Sequence, residues 1–503
     1  MADSVTGASS FTLMSYNILA KTLGSNCIPW VMTASSFYRE AVYEATQRSF
    51  DEWKVAEIMP TYRKHFHKNF ASGDYPAMRE FWSTRHLESP EDIPNSLSGL
   101  HFDSSDCVSY KDQKSGETVK AMTLKGLLKS KLPNDDLGSR LFNHLMEEED
   151  EVYDWSRRGP RVYREIISQR TLQSMNIEEA EESAASPDII LLEEYDVFGT
   201  EADYRGSGKE PFHQSMTAAG FDHLLFAEQD KSRSEPSGLG LFFKKDVFDL
   251  EGVTGAMQLD CCSSLNDAAY NVDLLEKWHR CPQSPNEPLS AEEMAPADRR
   301  NAGFARLRHR STQQVVWVAV VHLMTTSRDG PKTNEFPGEV RAGEMAKIRE
   351  TVASFVSPDE AFILAGDFNT EAKDTYVFEG QLKGQSSGRM LEVQTGMVTI
   401  PGEGEVQLSC RFQWQRQGAQ NMELREAFES RHLWGSGVGP AEKGGVCTSM
   451  NAERTAWIDY IWYSHSLLRP VALSDVCAPS QPIPDRDHGS DHLPVMARFE
   501  FLV

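Results

Sequence analysis

The run AFILAGDFN (361–369) decides the architecture. An unbroken apolar stretch, closed by Gly366, Asp367 and Asn369, reads as a short buried strand that stops at a polar turn, because Gly and Asn tolerate positive φ and Asp bonds its own backbone. Similar short runs, rich in Val, Ile, Phe and Trp, predict strands at 11–19, 188–192, 238–243, 315–323, 361–365, 457–463 and 493–501. The last alternates, with Val495, Ala497, Phe499 and Phe501 on one face and Met496, Arg498 and Glu500 on the other. Helical spacing at 161–175 and 339–355 fills the gaps. Strands and helices in this order predict an α/β fold of sheets stacked face to face with helices outside.

Two stretches break the pattern. Residues 21–150 carry aromatic, helix-like segments such as SSFYREAVYEATQRSFDEWKVAEIM and GDYPAMREFWSTRHL, and close on the acidic run 147–151. They are too many for a loop and too apolar for disorder, so a mostly helical insertion is expected there. Residues 255–300 turn rich in Pro, Ser and Glu and read as a surface excursion. The catalytic domain is therefore expected to comprise 1–20 and 151–503.

Composition narrows the function. Of 503 residues, 40% are hydrophobic and 25% charged, which suffices for a large core and excludes global disorder. A net charge of −24 argues against a broad basic face gripping long nucleic acid. It leaves room for phosphate chemistry if divalent cations stand between carboxylates and substrate. No run approaches the roughly 20 apolar residues that span a bilayer. The opening MADSVTGASSFTLMSYN has no basic n-region leading to an apolar one, and the 8 cysteines form no Cys-x-x-Cys pair. An intracellular, cytoplasmic protein without a structural disulfide framework is expected.

Polar, metal-competent residues recur at the strand ends: Asn17, Glu193 and Glu194, His322, Asp367 and Asn369, Asp459, and Asp491 with His492. Singly, most have ordinary readings as a turn, a cap, a solvated edge or a core histidine. Asp459 resists this, since a carboxylate inside an apolar strand is costly without a cation or donor. Together the residues require one explanation, and phosphoester hydrolysis aided by a hard cation fits. Magnesium prefers oxygen ligands and needs few carboxylates. A carboxylate can take the proton of an attacking water, and an imidazolium held by another can stabilise a phosphate oxygen. No GxxxxGK[ST] loop argues for nucleotide-driven transfer.

SYNILA (15–20), DWSRRGPRVYREI (154–166), PDIILLEEYD (187–196), GLGLFFKK (238–245), Asn301 ahead of VVHL (320–323), AGDFN (365–369), WIDYIWYS (457–464) and GSDHLPV (489–495) resemble the endonuclease/exonuclease/phosphatase superfamily. The likeness is greatest to the branch of the carbon-catabolite-repressor deadenylases, nocturnin, the Angel proteins and the 2′-phosphodiesterases. The resemblance implies a four-layer α/β sandwich with the site at one end. It implies Glu194 as main magnesium ligand with Asn17 beside it, and Asp491 in that metal site or a second one, for one or two Mg²⁺ (or Mn²⁺) ions. Asp367 would activate the water, Asn369 hold the scissile phosphate, and His322 contact it. His492, paired with Asp459, would stabilise the transition state, and Asn301 and Trp457 would meet the substrate.

This chain departs from the family pattern at Glu193, where Gln is common and the change adds a negative charge, and at Val320–Val321, where Asn-Thr is common. Trp414, Trp434 and Trp457 are available as types that stack on bases. A 3′-5′ exoribonuclease of deadenylase type, acting on single-stranded RNA or a nucleotide, is the leading expectation. The rivals are a small-molecule phosphatase of NADP(H) or inositol phosphate type, a phospholipid diesterase, and a silent scaffold binding a protein partner through residues 21–150.

Overall fold

The computed structural model describes residues 10–19, 36–58, 100–104, 107–111, 118–122, 124–152, 155–175, 182–195, 212–228, 237–251, 269–273, 301–323, 335–369, 395–400, 404–409, 411–414, 422–428, 447–451, 454–476 and 479–502. The chain divides into two compact units. One comprises residues 1–20, 159–230 and 236–503, the other 21–158 and 231–235.

Seven strands of the larger unit matter most: β1 (Ser10–Asn17), β2 (Ile189–Glu193), β3 (Asn301–His309), β4 (Val315–His322), β5 (Ala361–Asp367), β6 (Asp459–Ser464) and β7 (Val495–Phe501). β7, β1 and β2 occupy the middle of an eight-stranded sheet, and β3 to β6 run consecutively through a second. Both sheets are mixed: β1 is parallel to β2 and β4 to β5, whereas β1–β7 and β5–β6 are antiparallel.

The inward faces meet in one core that includes Phe11, Leu13, Leu191, Val318, Ile363, Ile461 and Ala497. The sheets approach closely enough that a Cβ on Gly303 of β3 would lie 2.3 Å from the Phe226 ring. Every residue of β5 is buried. Its inner face meets the first sheet, while the outer face of the second sheet is covered by helix α2 (Glu335–Phe355), whose Phe355 ring touches Phe304 and Trp317. Helix α1 (Trp155–Ile167) lies on the outer face of the first sheet, where Tyr16 of β1 bonds Glu165. Two packed mixed sheets with helices outside are the architecture expected from the strand runs.

Three local expectations change. The helix read at 161–175 ends at Ile167, and Arg170–Ser174 is a strand paired with Leu468–Ser474. RTLQS buries only Leu172, an alternation that helical counting overlooked. Within 255–300, Ala269–Asp273 is a strand paired with β3 rather than part of a surface excursion. In the smaller unit the described residues are mostly helical (Ser36–Thr46, Leu124–Lys131 and Asp135–Val152), with a three-stranded sheet at Leu100–Ser104, Cys107–Lys111 and Thr118–Met122 that apolar periodicity did not reveal. The helices bury Tyr38, Val42, Trp53, Leu128, Leu141 and Leu145 in a core of their own. The acidic run 147–151 lies on the Asp135–Val152 helix, and GDYPAMREFWSTRHL lies outside the described residues. No described helix is long and apolar enough to cross a membrane.

Candidate active site

Strand register brings the polar strand ends together. Asn17 closes β1 opposite Glu193, the last residue of the parallel β2. His322 closes β4 opposite Asp367, and Asp367 pairs in turn with Asp459, the first residue of β6. Side-chain alternation then points Asn17, Glu193, His322, Asp367 and Asp459 into the space between the sheets.

The turn after β5 demands its residues. Gly366 has φ of 147°, and a Cβ there would lie 1.9 Å from the Val321 carbonyl oxygen. Asn369 has φ of 50°, a conformation its side chain suits, and its N–H donates to Asp367 Oδ1 at 2.7 Å. Asn369 Nδ2 donates to the Leu323 carbonyl at 2.9 Å, tying this turn to the end of β4. Glu194, immediately after β2, also sits at positive φ (54°), which swings its carboxylate back over the site.

Asn17 is the hinge of the arrangement. Its Oδ1 accepts the Leu19 N–H at 3.0 Å, which settles the amide orientation, and its Nδ2 faces both acids, 3.0 Å from Asp367 Oδ2 and 3.3 Å from Glu194 Oε1. The Asn17 amide thus stands between two carboxylates and donates toward both. His322 Nε2 lies 3.7 Å from Glu194 Oε1 and 3.6 Å from Asp367 Oδ2.

On the other side, Asp459 holds His492: Nδ1 stands 2.9 Å and 3.1 Å from the two carboxylate oxygens. Nε2 is left facing Asp367 Oδ2 at 3.7 Å and Asp491 Oδ1 at 4.0 Å. Burial by itself would favour the neutral ring, but the surrounding Asp459, Asp491 and Asp367 carboxylates outweigh it and raise the His492 pKa to about 10. Asp491 is steadied by Asn451, whose Nδ2 donates to Oδ2 at 3.0 Å, and Thr448 Oγ1 accepts the N–H of Asp459 at 3.1 Å.

Glu193 departs from its expected part. Its carboxyl is fully buried, Oε1 accepts the Ser15 hydroxyl at 2.9 Å, and Oε2 has no hydrogen-bond partner. Burial first, then the Asp459 and Asp367 charges, push its pKa well above the usual range. Burial and the neighbouring carboxylates therefore oppose the extra negative charge expected at this position.

Seven of the expected residues therefore converge: Asn17, Glu194, His322, Asp367, Asp459, Asp491 and His492. Asn369 joins through Asp367, and Asn301 opens β3 beside Ala302, which pairs with Val321 next to His322. Trp457 does not join; at 3% exposure it packs in the core against Phe428, with no ring face left for a base. The side chain of Trp414 and the whole of Trp434 lie outside the described residues. Ser15, Thr448, Asn451 and Ser490 were missed, since nothing near them in sequence signals a distant partner.

The donor set suits a hard divalent cation: carboxylate oxygens predominate, with imidazoles beside them. Atoms of Asp367, Asp459 and His492 all lie within 4.8 Å of one another.

A family model described as "Endonuclease/Exonuclease/phosphatase family" matches residues 168–492. The exoribonuclease subunit Ccr4 of the CCR4-Not complex from Kluyveromyces lactis is 24% identical over 276 residues, 54% of this chain and 30% of that protein. The match thus takes in under a third of the relative's length. Among solved structures, the human nocturnin catalytic domain is similar at 18% identity, with 63% of this chain and 81% of that one covered and a TM-score of 0.36. ANGEL2, a 2′,3′-cyclic phosphatase, is similar at 17% identity, with 69% and 86% covered and a TM-score of 0.41.

Proposed function

Because this chain belongs to the endonuclease/exonuclease/phosphatase family, we propose that it hydrolyses phosphodiesters with Mg²⁺ or Mn²⁺, as a 3′-5′ exoribonuclease on single-stranded RNA. The observation that carries the reading is the pair of opposed devices around Asp367: the Asn17 amide between two acids on one side, and the Asp459–His492 pair on the other. The Kluyveromyces relative is an exoribonuclease subunit, which favours the exoribonuclease over the small-molecule rivals. A cytoplasmic setting belongs to the same proposal and is tested by cell fractionation.

Glu194 and Asp491, with Asn17 beside them, would hold the cation, which would supply charge neutralisation on the phosphate oxygens. Asp367 takes a proton from the attacking water as the new P–O bond forms. His492, kept charged at neutral pH by its carboxylates, donates from Nε2 to a non-bridging oxygen or to the departing oxygen. Asp459 fixes the ring so that Nδ1–H is spent on it and Nε2–H is aimed at substrate. Asn369 retains one amide hydrogen beyond that given to Leu323, for a phosphate oxygen. His322 lies on the opposite side of Asp367 and would contact the same phosphate.

The test is hydrolysis by purified protein of oligo(A), mixed-sequence RNA, NADPH and inositol phosphates with Mg²⁺, Mn²⁺ or EDTA. Mononucleotide release from an RNA 3′ end, abolished by EDTA, is expected. Equal rates on oligo(A) and mixed RNA would discard the deadenylase refinement. Release of inorganic phosphate alone, with RNA left intact, would replace the reading by the small-molecule phosphatase.

A further inference from the structure

Asp459 and His492 lie 33 residues apart in the chain, and one residue of a third segment holds both. Thr448 is fully buried, and its hydroxyl oxygen accepts the N–H of Ile458 at 2.9 Å as well as that of Asp459 at 3.1 Å. Successive N–H groups of a regular strand point to opposite sides, so one acceptor for both marks an irregular entry into β6. The side chain supplies there what the ladder does not. On its other flank, the Thr448 carbonyl accepts the N–H of Leu493 at 2.6 Å, directly after His492. The Thr448 N–H donates to the Ala456 carbonyl at 3.0 Å, continuing the pairing of Ser449–Asn451 with Arg454–Ala456.

The hold extends to the neighbours of both residues. Ser449 pairs with His492 in an antiparallel bridge, and the N–H of Met450 donates to the Asp491 carbonyl at 2.9 Å. The Ile458 carbonyl accepts the N–H of Phe368, next to Asp367, at 2.9 Å. The peptide joining Ile458 to Asp459 is therefore fixed at both ends, its N–H by Thr448 and its carbonyl by the turn after β5.

We propose that Thr448 is a positioning residue for the reaction: its hydroxyl sets Asp459 and its carbonyl sets the segment of His492, so that the paired ring presents Nε2 to Asp367. This rests on the phosphodiesterase reading. Buried as it is, Thr448 acts only through the two side chains it aligns. Its branched β-carbon restricts the hydroxyl to few rotamers, which suits a fixed acceptor. Without that acceptor two buried N–H groups would be unmet, and the entry to β6 would shift to find others. A shift of a fraction of an ångström in Asp459 would turn the His492 ring away from the reacting phosphate and lower turnover, with the groups that bind substrate untouched.

Thr448→Val removes the acceptor and keeps the shape, whereas Thr448→Ser keeps the acceptor. Each is made in the full chain and assayed at a temperature where circular dichroism shows it fully folded, so that no unfolded fraction enters kcat. The readouts are amide hydrogen exchange and steady-state hydrolysis of bis(4-nitrophenyl) phosphate with Mn²⁺. In Thr448→Val, exchange across 457–460 rises about tenfold while β4 keeps its protection. Its kcat falls about tenfold with KM held within about twofold. Thr448→Ser stays within about threefold of wild type in both readouts. Unchanged exchange or unchanged kcat in Thr448→Val, a KM that rises as far as kcat falls, or a Thr448→Ser protein as impaired as Thr448→Val would overturn the proposal. If Thr448→Val does not fold, Thr448→Ala takes its place with the same expected values. Failure of both to fold would also overturn it, since Thr448 would then serve stability alone. If the wild-type protein hydrolyses nothing, the functional reading fails, and exchange still decides whether Thr448 holds Asp459.

Discussion

The two ends of the second sheet handle acidic side chains in opposite ways. Where β4 and β5 begin, two half-buried acids have arginines: Glu251 takes Arg306 and Arg308, and Glu360 takes Arg306 and the Trp317 indole N–H. The hydrogen bond from Arg308 leads the effects that hold the Glu251 pKa below its usual range. Where the same strands end, Asp367, Asp459, Asp491 and Glu194 face imidazoles and an amide. Among the described residues no Lys or Arg pairs with them. Arginine is always charged, so the first end is finished on folding. The second sets its acids beside imidazoles and an amide, a donor set that suits a divalent cation.

Breaking this contrast should produce effects of graded size. Asp367→Ala should lower hydrolysis about 10³-fold, read by kcat on RNA, while leaving the melting temperature equal or higher, because it removes a carboxylate from a crowded acidic site. A marked loss of stability instead would mean that the two ends are alike. Asp459→Asn keeps the shape but withdraws the charge that holds His492 protonated, and about a hundredfold or greater loss in kcat is expected.

Chelation should then separate stability from structure at the two ends. At a hundredfold excess over its dissociation constant, Mg²⁺ should add about 2.7 kcal/mol to the wild type and little to Glu194→Ala, as read by thermal denaturation. At the other end, Glu251→Ala should cost about 1–2 kcal/mol and leave kcat unchanged, since Arg306 and Arg308 lose their partner.

The smallest effect concerns Asp485 and His488. Burial opposes ionisation of Asp485, but the His488 ring and the backbone N–H groups of His488 and Asp487 lower its pKa; the Asp485 hydrogen bond raises that of His488. The sign differs for each: Asp485 contributes stability above an unfolded value of about 3.9 that is lost as pH falls, and His488 contributes stability below about 6.5 that is lost as pH rises. His488→Gln should therefore lower stability most near pH 5–6, by under about 1 kcal/mol, with the difference shrinking toward pH 9. A pH-independent difference would remove the ion pair from the account.

The fold was legible because a strand buried on both sides has to be apolar throughout, and AFILA, VVWVAVV and DYIWY declare this without reference to anything distant. Strands with one buried residue, such as Arg170–Ser174, carry too weak a pattern and were absorbed into the preceding helix. The site was legible for a related reason: a polar residue ending an apolar strand is conspicuous, as at Asn17, His322 and Asp367. Which atom faces which is another matter.

The amino-acid sequence alone determined the sandwich and the inventory of acids, amides and imidazoles, since both follow from local patterns of burial. Only the tertiary structure decided that Asn17 donates across 350 residues to Asp367, that Glu193 is sealed away, and that Trp457 lies in the core. Such outcomes depend on register and alternation between strands remote in the chain. A hydrogen bond is settled by tenths of an ångström, and no spacing along one segment encodes the position of another.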